Sequence, residues 1–168
     1  MPKIIENLDQ RLLAEARKQI EESGYSAVTI RSVANGCGVG VGTVYNYFSS
    51  KDELIASFMA ADWKLCLDTI TGISENAPDP MPVLRCIYDQ LHIFAKQHHS
   101  IIRDQAAAAG FAGSFGKYHA LLRSQLAGPL RKFCDSDFTA DFIAESMLVW
   151  TMDGKDFEQL YQVIKKLL

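Results

Sequence analysis

Apolar residues recur at helical spacing along nearly the whole chain. Leu8, Leu12, Ala16 and Ile20 stand four apart, with Glu15, Lys18 and Glu22 on the other side, so a first helix is expected over about Ile4 to Ser23. Gly24 comes next as a stop, since glycine takes the left-handed conformation without a Cβ clash. Thr29 has the chemistry of an N-cap for a second helix reaching about Cys37, with Ile30, Val33 and Ala34 inward. Gly38 marks a turn, and a third helix covers about Val41 to Phe48, packing through Val44 and Phe48. Ser50 and Glu53 have the spacing of a capping box, opening a long fourth helix to about Ile70 with Leu54, Phe58, Ala61 and Leu65 as its stripe.

Gly72, Pro78, Pro80 and Pro82 predict a break from Thr71 to Pro82. A fifth helix then runs to about His98, carrying Leu84, Ile87, Tyr88, Leu91 and Phe94. Ser100 is a candidate cap for a sixth, Ile101 to about Ala109. Glycines 110, 113 and 116 loosen the chain after that helix. A seventh helix is expected from about Ser114 to Phe133, bent at Gly128-Pro129. The eighth carries Phe138, Phe142, Ile143, Met147 and Trp150, and the last carries Phe157, Leu160, Tyr161, Ile164 and Leu168. No segment sustains period-two alternation. The expectation is an all-α protein of about nine helices without strands.

Composition narrows the function classes. The 168 residues are 48% hydrophobic, enough for a sizeable core, and no apolar run approaches the length of a membrane span. The first residues carry Glu6 and Asp9 and do not read as a secretion signal, so the expected location is the cytoplasm. Cys37, Cys66, Cys86 and Cys134 form no C-x-x-C pair, which argues against a zinc ribbon and suits a reducing compartment. Net charge is −3, divided as +1 over residues 1–51 and −4 over residues 52–168. For a nucleic-acid binder the asymmetry has the right sign but is small.

Two short helices joined by a glycine turn fit a helix-turn-helix, in which the second helix enters the DNA major groove. The letters are more specific than the pattern. The string GVGVGTVYNYFSSKDEL, preceded by Thr-Ile-Arg-x-Val-Ala, closely resembles the DNA-binding signature of the TetR (tetracycline-repressor-like) regulators, over about Leu8 to Leu54. The resemblance implies a three-helix head over residues 1–50 and a ligand-sensing and dimerising body over 51–168. It places Thr43 at a phosphate or base edge, Tyr45 and Tyr47 on phosphates, and Lys51 on the backbone. In some relatives the position of Arg31 reaches a guanine edge, a contact arginine makes bidentately. Asn46 is the polar residue of the third helix best suited to a base or phosphate, and Thr29, opening the second helix, is counted with this set. Gly40 and Val41 depart from the family's usual capping hydroxyl and cation. The third helix therefore has no charged side chain, and Val41 could reach a thymine methyl.

The resemblance also implies a small-molecule pocket in the body and pairing of two subunits through the last two helices. For a pocket taking an apolar or aromatic effector, the candidates are Trp63, Tyr88, Phe94, Phe111, Phe115, Tyr118, His119 and Met147. For a homodimer interface they are Phe142, Trp150, Phe157, Tyr161 and Ile164.

Other chemistries fit less well. The alternating glycines 36, 38, 40 and 42 match neither nucleotide-loop spacing, and no strand precedes them. Cys86, Asp89 and His92 share a helix face near His98-His99, but one acidic-x-x-His pair falls short of a di-metal bundle, and no metal or cofactor is expected. No nucleophile–base constellation or H-E-x-x-H is present, so no catalytic residue is assigned. The expected function is a transcriptional regulator, a repressor that an effector releases from a near-palindromic site in double-stranded DNA. The alternative is a DNA-binding protein of this fold without an effector, architectural or answering to a protein.

Overall fold

In a computed structural model, residues 7–112 and 115–168 are described. The expected first residues of helix one, 4–6, and the side chain of Phe115 lie outside the described residues. All regular structure among the described residues is helical, in ten α-helices rather than about nine.

α1 spans Leu8–Ser23 and buries Leu8, Leu12, Ala16 and Ile20, the stripe expected of it. It ends at Gly24, φ 79°, whose N–H donates to Ile20 O. A 3-10 turn, Tyr25–Ala27, leads to α2, Ile30–Cys37, and then α3, Val41–Tyr45. α3 stops short of the expected Phe48. The N–H groups of Tyr47 and Phe48 both turn back to Val44 O, which closes the helix as a turn while still seating Phe48 in the core.

α4, Lys51–Asn76, runs six residues past the expected end. Its Gly72 weakens the helix by about 1 kcal/mol relative to alanine but does not interrupt it. α5, Pro80–Gln97, starts at one proline and carries another in its first turn. First-turn N–H groups have no partner within the helix, so proline loses nothing there, and the expected twelve-residue break shrinks to residues 77–79. Ser100 caps nothing. α6, His99–Ile102, ends first, and Asp104 caps a separate α7, Gln105–Phe111, by accepting from the N–H groups of Ala106 and Ala107 at 2.8 and 3.0 Å. α8, Phe115–Leu130, includes Pro129 and passes into a 3-10 turn. α9, Asp137–Met152, is capped by Ser136, and α10, Phe157–Ile164, by Asp156.

The chain forms two compact units. One holds residues to Ala61 together with His98–Ala112; the other holds Asp62–Gln97 and the residues from 113 onward. In the first, Leu12, Ala16, Val33, Ala34, Val44, Leu54 and Ile55 are fully buried around α1–α3 and the start of α4. In the second, Ile70, Leu84, Ile87, Leu126, Ile143 and Met147 join α4, α5, α8 and α9. Leu65 leaves the expected α4 stripe and is 66% exposed, because the buried side of that stretch is carried by Trp63, Cys66 and Ile70.

Candidate nucleic-acid interface

The helix-turn-helix is held by bonds that α1 sends to α2. Gln19 donates to Ser32 O at 3.1 Å and accepts from Ser32 Oγ at 2.6 Å. At the far end of α2, Arg11 donates to Cys37 O at 3.2 Å. Thr29 and Ser32 form a reciprocal capping box, each side chain meeting the other's backbone N–H at 3.0 Å. The turn depends on Gly38, φ 68°, where a side chain would be strained, and Val39 N–H returns to Ala34 O at 3.0 Å. Val44, fully buried, then fixes α3 on its inner side.

That anchoring leaves Thr29, Arg31, Tyr45, Asn46 and Tyr47 exposed, with Val41 and Thr43 half-buried beside them. Tyr45 and Tyr47 are 53% and 47% exposed, too open for core packing to be their whole role. No hydrogen bond or ion pair engages Arg31 among the described residues, so its guanidinium keeps all five donors.

Lys51 is placed differently from these. Its Nζ donates to Tyr25 O at 2.8 Å and lies 3.8 Å from the centre of the Tyr25 ring. Burial lowers its pKa, opposed by the nearby carboxylates of Asp52 and Asp104. The ammonium expected on DNA is already engaged in holding the start of α4 to the Tyr25 turn. The Tyr25 hydroxyl in turn donates to Asp52, and burial first, then that bond, raises its pKa. Ser26 donates to Asp104 at 3.3 Å, and Tyr25 packs at 6.5 Å from Phe111. Helical periodicity and motif letters do not mark Tyr25. The available signal was that no other aromatic occurs before Tyr45.

The expected capping box at α4 is half formed. Ser50 Oγ accepts from Glu53 N–H at 3.1 Å, but the Glu53 carboxylate reaches one residue further back, to Ser49 N–H at 2.7 Å and to the Ser49 hydroxyl. These bonds hold the Glu53 carboxyl below its ordinary pKa.

Of the expected pocket residues, Trp63, Tyr88, Phe94 and Met147 belong to the second unit's hydrophobic core or pack against it. Phe111 belongs to the first unit, against Tyr25. Trp63 donates to Gln125 at 2.8 Å and meets Phe94 edge-on at 5.4 Å. Tyr88 donates to Lys155 O at 3.0 Å, His119 pairs with Glu145 at 2.8 Å, Met147 is fully buried in the core and Tyr118 faces solvent. An open recess of about 480 Å³ lies instead among Thr71, Ser74, Glu75, Gly128, Pro129 and Lys132. Its lysine is occupied at the end of α4, donating to Ser74 O and to the O of Ala77 just beyond the helix.

Of the expected interface residues, Phe142 and Trp150 are about half exposed. Phe157 and Ile164 are corrections: both are buried in the unit's own core, Phe157 under the Arg85 guanidinium at 4.1 Å and stacked on a half-buried Tyr161 at 5.7 Å. α10 is short, and its strong apolar side is consumed by α5 and α9. His92 Nδ1 sits 3.2 Å from Tyr88 O, and no group of three His, Cys, Asp or Glu side chains is placed to hold a metal among the described residues. No helix of the described residues is long and apolar enough to cross a membrane.

Residues 12–58, the braced head with its outward tyrosines, match the family described as "Bacterial regulatory proteins, tetR family". These residues carry the DNA-binding head of the TetR family. Members of the family are helix-turn-helix transcriptional regulators rather than enzymes. The regulator YvdT of Bacillus subtilis (strain 168) is 30% identical over 102 residues, 61% of this chain and 53% of its own. The chain spans about half the length of the curated relatives first matched. The transcriptional regulator SCO7518 of Streptomyces coelicolor A3(2) shares the fold with a TM-score of 0.70 at 17% identity, over 94% of this chain and 96% of that one. FadR of Thermus thermophilus, a TetR-family repressor solved with lauroyl-CoA, shares it with a TM-score of 0.59 at 16% identity, over 95% and 92%. At those identities the two structures speak for the fold alone.

Proposed function

We propose that this TetR-family chain is a DNA-binding repressor acting as a homodimer in the cytoplasm. The observation that carries the reading is the outward set of Arg31, Tyr45, Asn46 and Tyr47 on a helix-turn-helix whose inner side is fully packed. Tyrosine hydroxyls and Asn46 anchor phosphates, while Arg31 reads a guanine from the start of α2. Lys51 contributes to the backbone grip mainly by setting the start of α4. Two copies of α3 occupy successive major grooves, about 34–36 Å apart, on a near-palindromic site. Residues 1–50 supply the reading head and 51–168 the effector and pairing functions, with Phe142 and Trp150 as the expected interface residues that stay exposed to a partner.

An effector would bind one conformation of the body better than the other and release DNA by shifting the population, with a coupling of about 1–3 kcal/mol. The lauroyl-CoA held by the Thermus thermophilus protein makes a long apolar molecule a reasonable class to try first. A second reading, regulation without a small molecule, is favoured by the packing roles that Trp63, Tyr88 and Met147 already fill. Mobility shift with the DNA flanking the protein's own gene tests the DNA-binding claim. A shift resisting non-specific competitor is expected, and none at low salt would refute it. Thermal shift with acyl-CoA, fatty acid and aromatic probes separates the two readings, since a ligand of the folded state raises Tm.

A further inference from the structure

α9 is apolar on both of its sides. Its inner residues, Ala140, Ile143, Ala144, Met147 and Leu148, are buried in the second unit's core. On the other side Phe138, Phe142, Val149 and Met152 are exposed, and their spacing puts them on one outward stripe. A helix apolar all round is one whose outer face is also covered. One acid interrupts the stripe. Glu145 stands three residues after Phe142 and four before Val149, so it lies between them on that face. It is held in place from α8. His119 meets both carboxylate oxygens, at 2.8 and 3.0 Å, and Arg123, one turn further along α8, lies 3.8 Å away.

The occupant that fits this face is a second copy of the chain. The patch carries an acid on α9 and a guanidinium on α8, and a two-fold contact turns each toward the other on the partner, so the charges are self-complementary. Arg123 reaches Glu145 only near the limit of an ion pair, and its side chain is 41% exposed, so donors of its fork remain for a second carboxylate. We propose that Glu145, His119 and Arg123 form a charged pin within the pairing surface, which selects a second copy of this chain as partner and holds α9 against it in one register. A polar group inside an apolar helix contact lowers the stability of the contact while fixing its register, the best-attested use of such groups. The inference rests on the homodimer reading above.

The test uses two charge variants of the full chain, Glu145→Arg, whose patch is basic, and Arg123→Glu, whose patch is acidic, with helical circular dichroism as the check on folding. In sedimentation each alone should dissociate about tenfold or more readily than wild type, because like charges meet across the contact. Mixed one to one, they should form a heterodimer within about threefold of wild-type affinity, since opposite charges face again. A third variant, Glu145→Leu, should pair about threefold or more tightly than wild type, as an apolar residue of similar size replaces a covered polar one. Charge variants that pair as wild type does, or a mixture no tighter than its components, overturn the proposal. So does wild-type affinity in Glu145→Leu, which would mark the position as facing solvent; this arm decides the matter even where a charge variant fails to fold. A wild-type chain that stays monomeric at micromolar concentration would instead remove the homodimer reading itself, and the pin with it.

Discussion

Lys51 and Arg31 are the two cations expected on DNA, and among the described residues only Lys51 is engaged within the protein. Lys51 holds Tyr25 O and covers the Tyr25 ring, so Lys51→Met should destabilise the first unit by about 1–2 kcal/mol, read as a lower denaturation midpoint. Arg31 makes no internal bond among the described residues, so Arg31→Ala should leave the midpoint within about 0.5 kcal/mol of wild type and relax base preference at one position of each half-site. Unchanged base preference in Arg31→Ala would shift the readout to α3. Sequence alone could not separate these two residues. A lysine at a helix start looks the same whether its flexible stem points outward or folds over a ring supplied from residue 25.

At the scale of elements, the caps carry a pH dependence. Glu53 is held low by its Ser49 bonds, and Asp104 by the backbone N–H of Ala107, then of Ala106, and by Ser26. A carboxyl depressed on folding contributes stability that is complete above its unfolded pKa, near 4, and is lost as pH falls through its folded value. Acidification below about pH 4 should therefore fray the first turns of α4 and α7. Glu53→Gln with Asp104→Asn should flatten Tm against pH in that range; an unaltered slope would contradict the assignment. The helices themselves were largely legible. The stripe of α1 and the Thr29, Gly24 and Gly38 boundaries come from periodicity and local backbone chemistry, which act within a few residues. What was misplaced depended on context. Pro80 and Pro82 read as breakers until the position of the helix start is known, and Asp104 rather than Ser100 takes the cap because α6 ends after one turn.

For the whole molecule, the all-helical TetR fold was readable because a short motif with specific letters names it. The pocket and pairing residues were not. Aromatic residues at helical spacing look alike whether they line a cavity, fill a core or await a partner, and Phe157 and Ile164 prove to be core. Phe142 and Trp150 stay half exposed on α9, so Phe142→Glu with Trp150→Glu should give a folded monomer by sedimentation, with the helical circular dichroism retained. A wild-type protein already monomeric at micromolar concentration would contradict the pairing proposal. The central claim is that this head reads DNA as a symmetric pair. It is tested most directly by selecting duplexes from a random-sequence pool with the wild-type protein. The expected product is a near-palindrome whose half-site centres lie about one helical turn apart. A fully folded protein that enriches no sequence over the starting pool would contradict the claim.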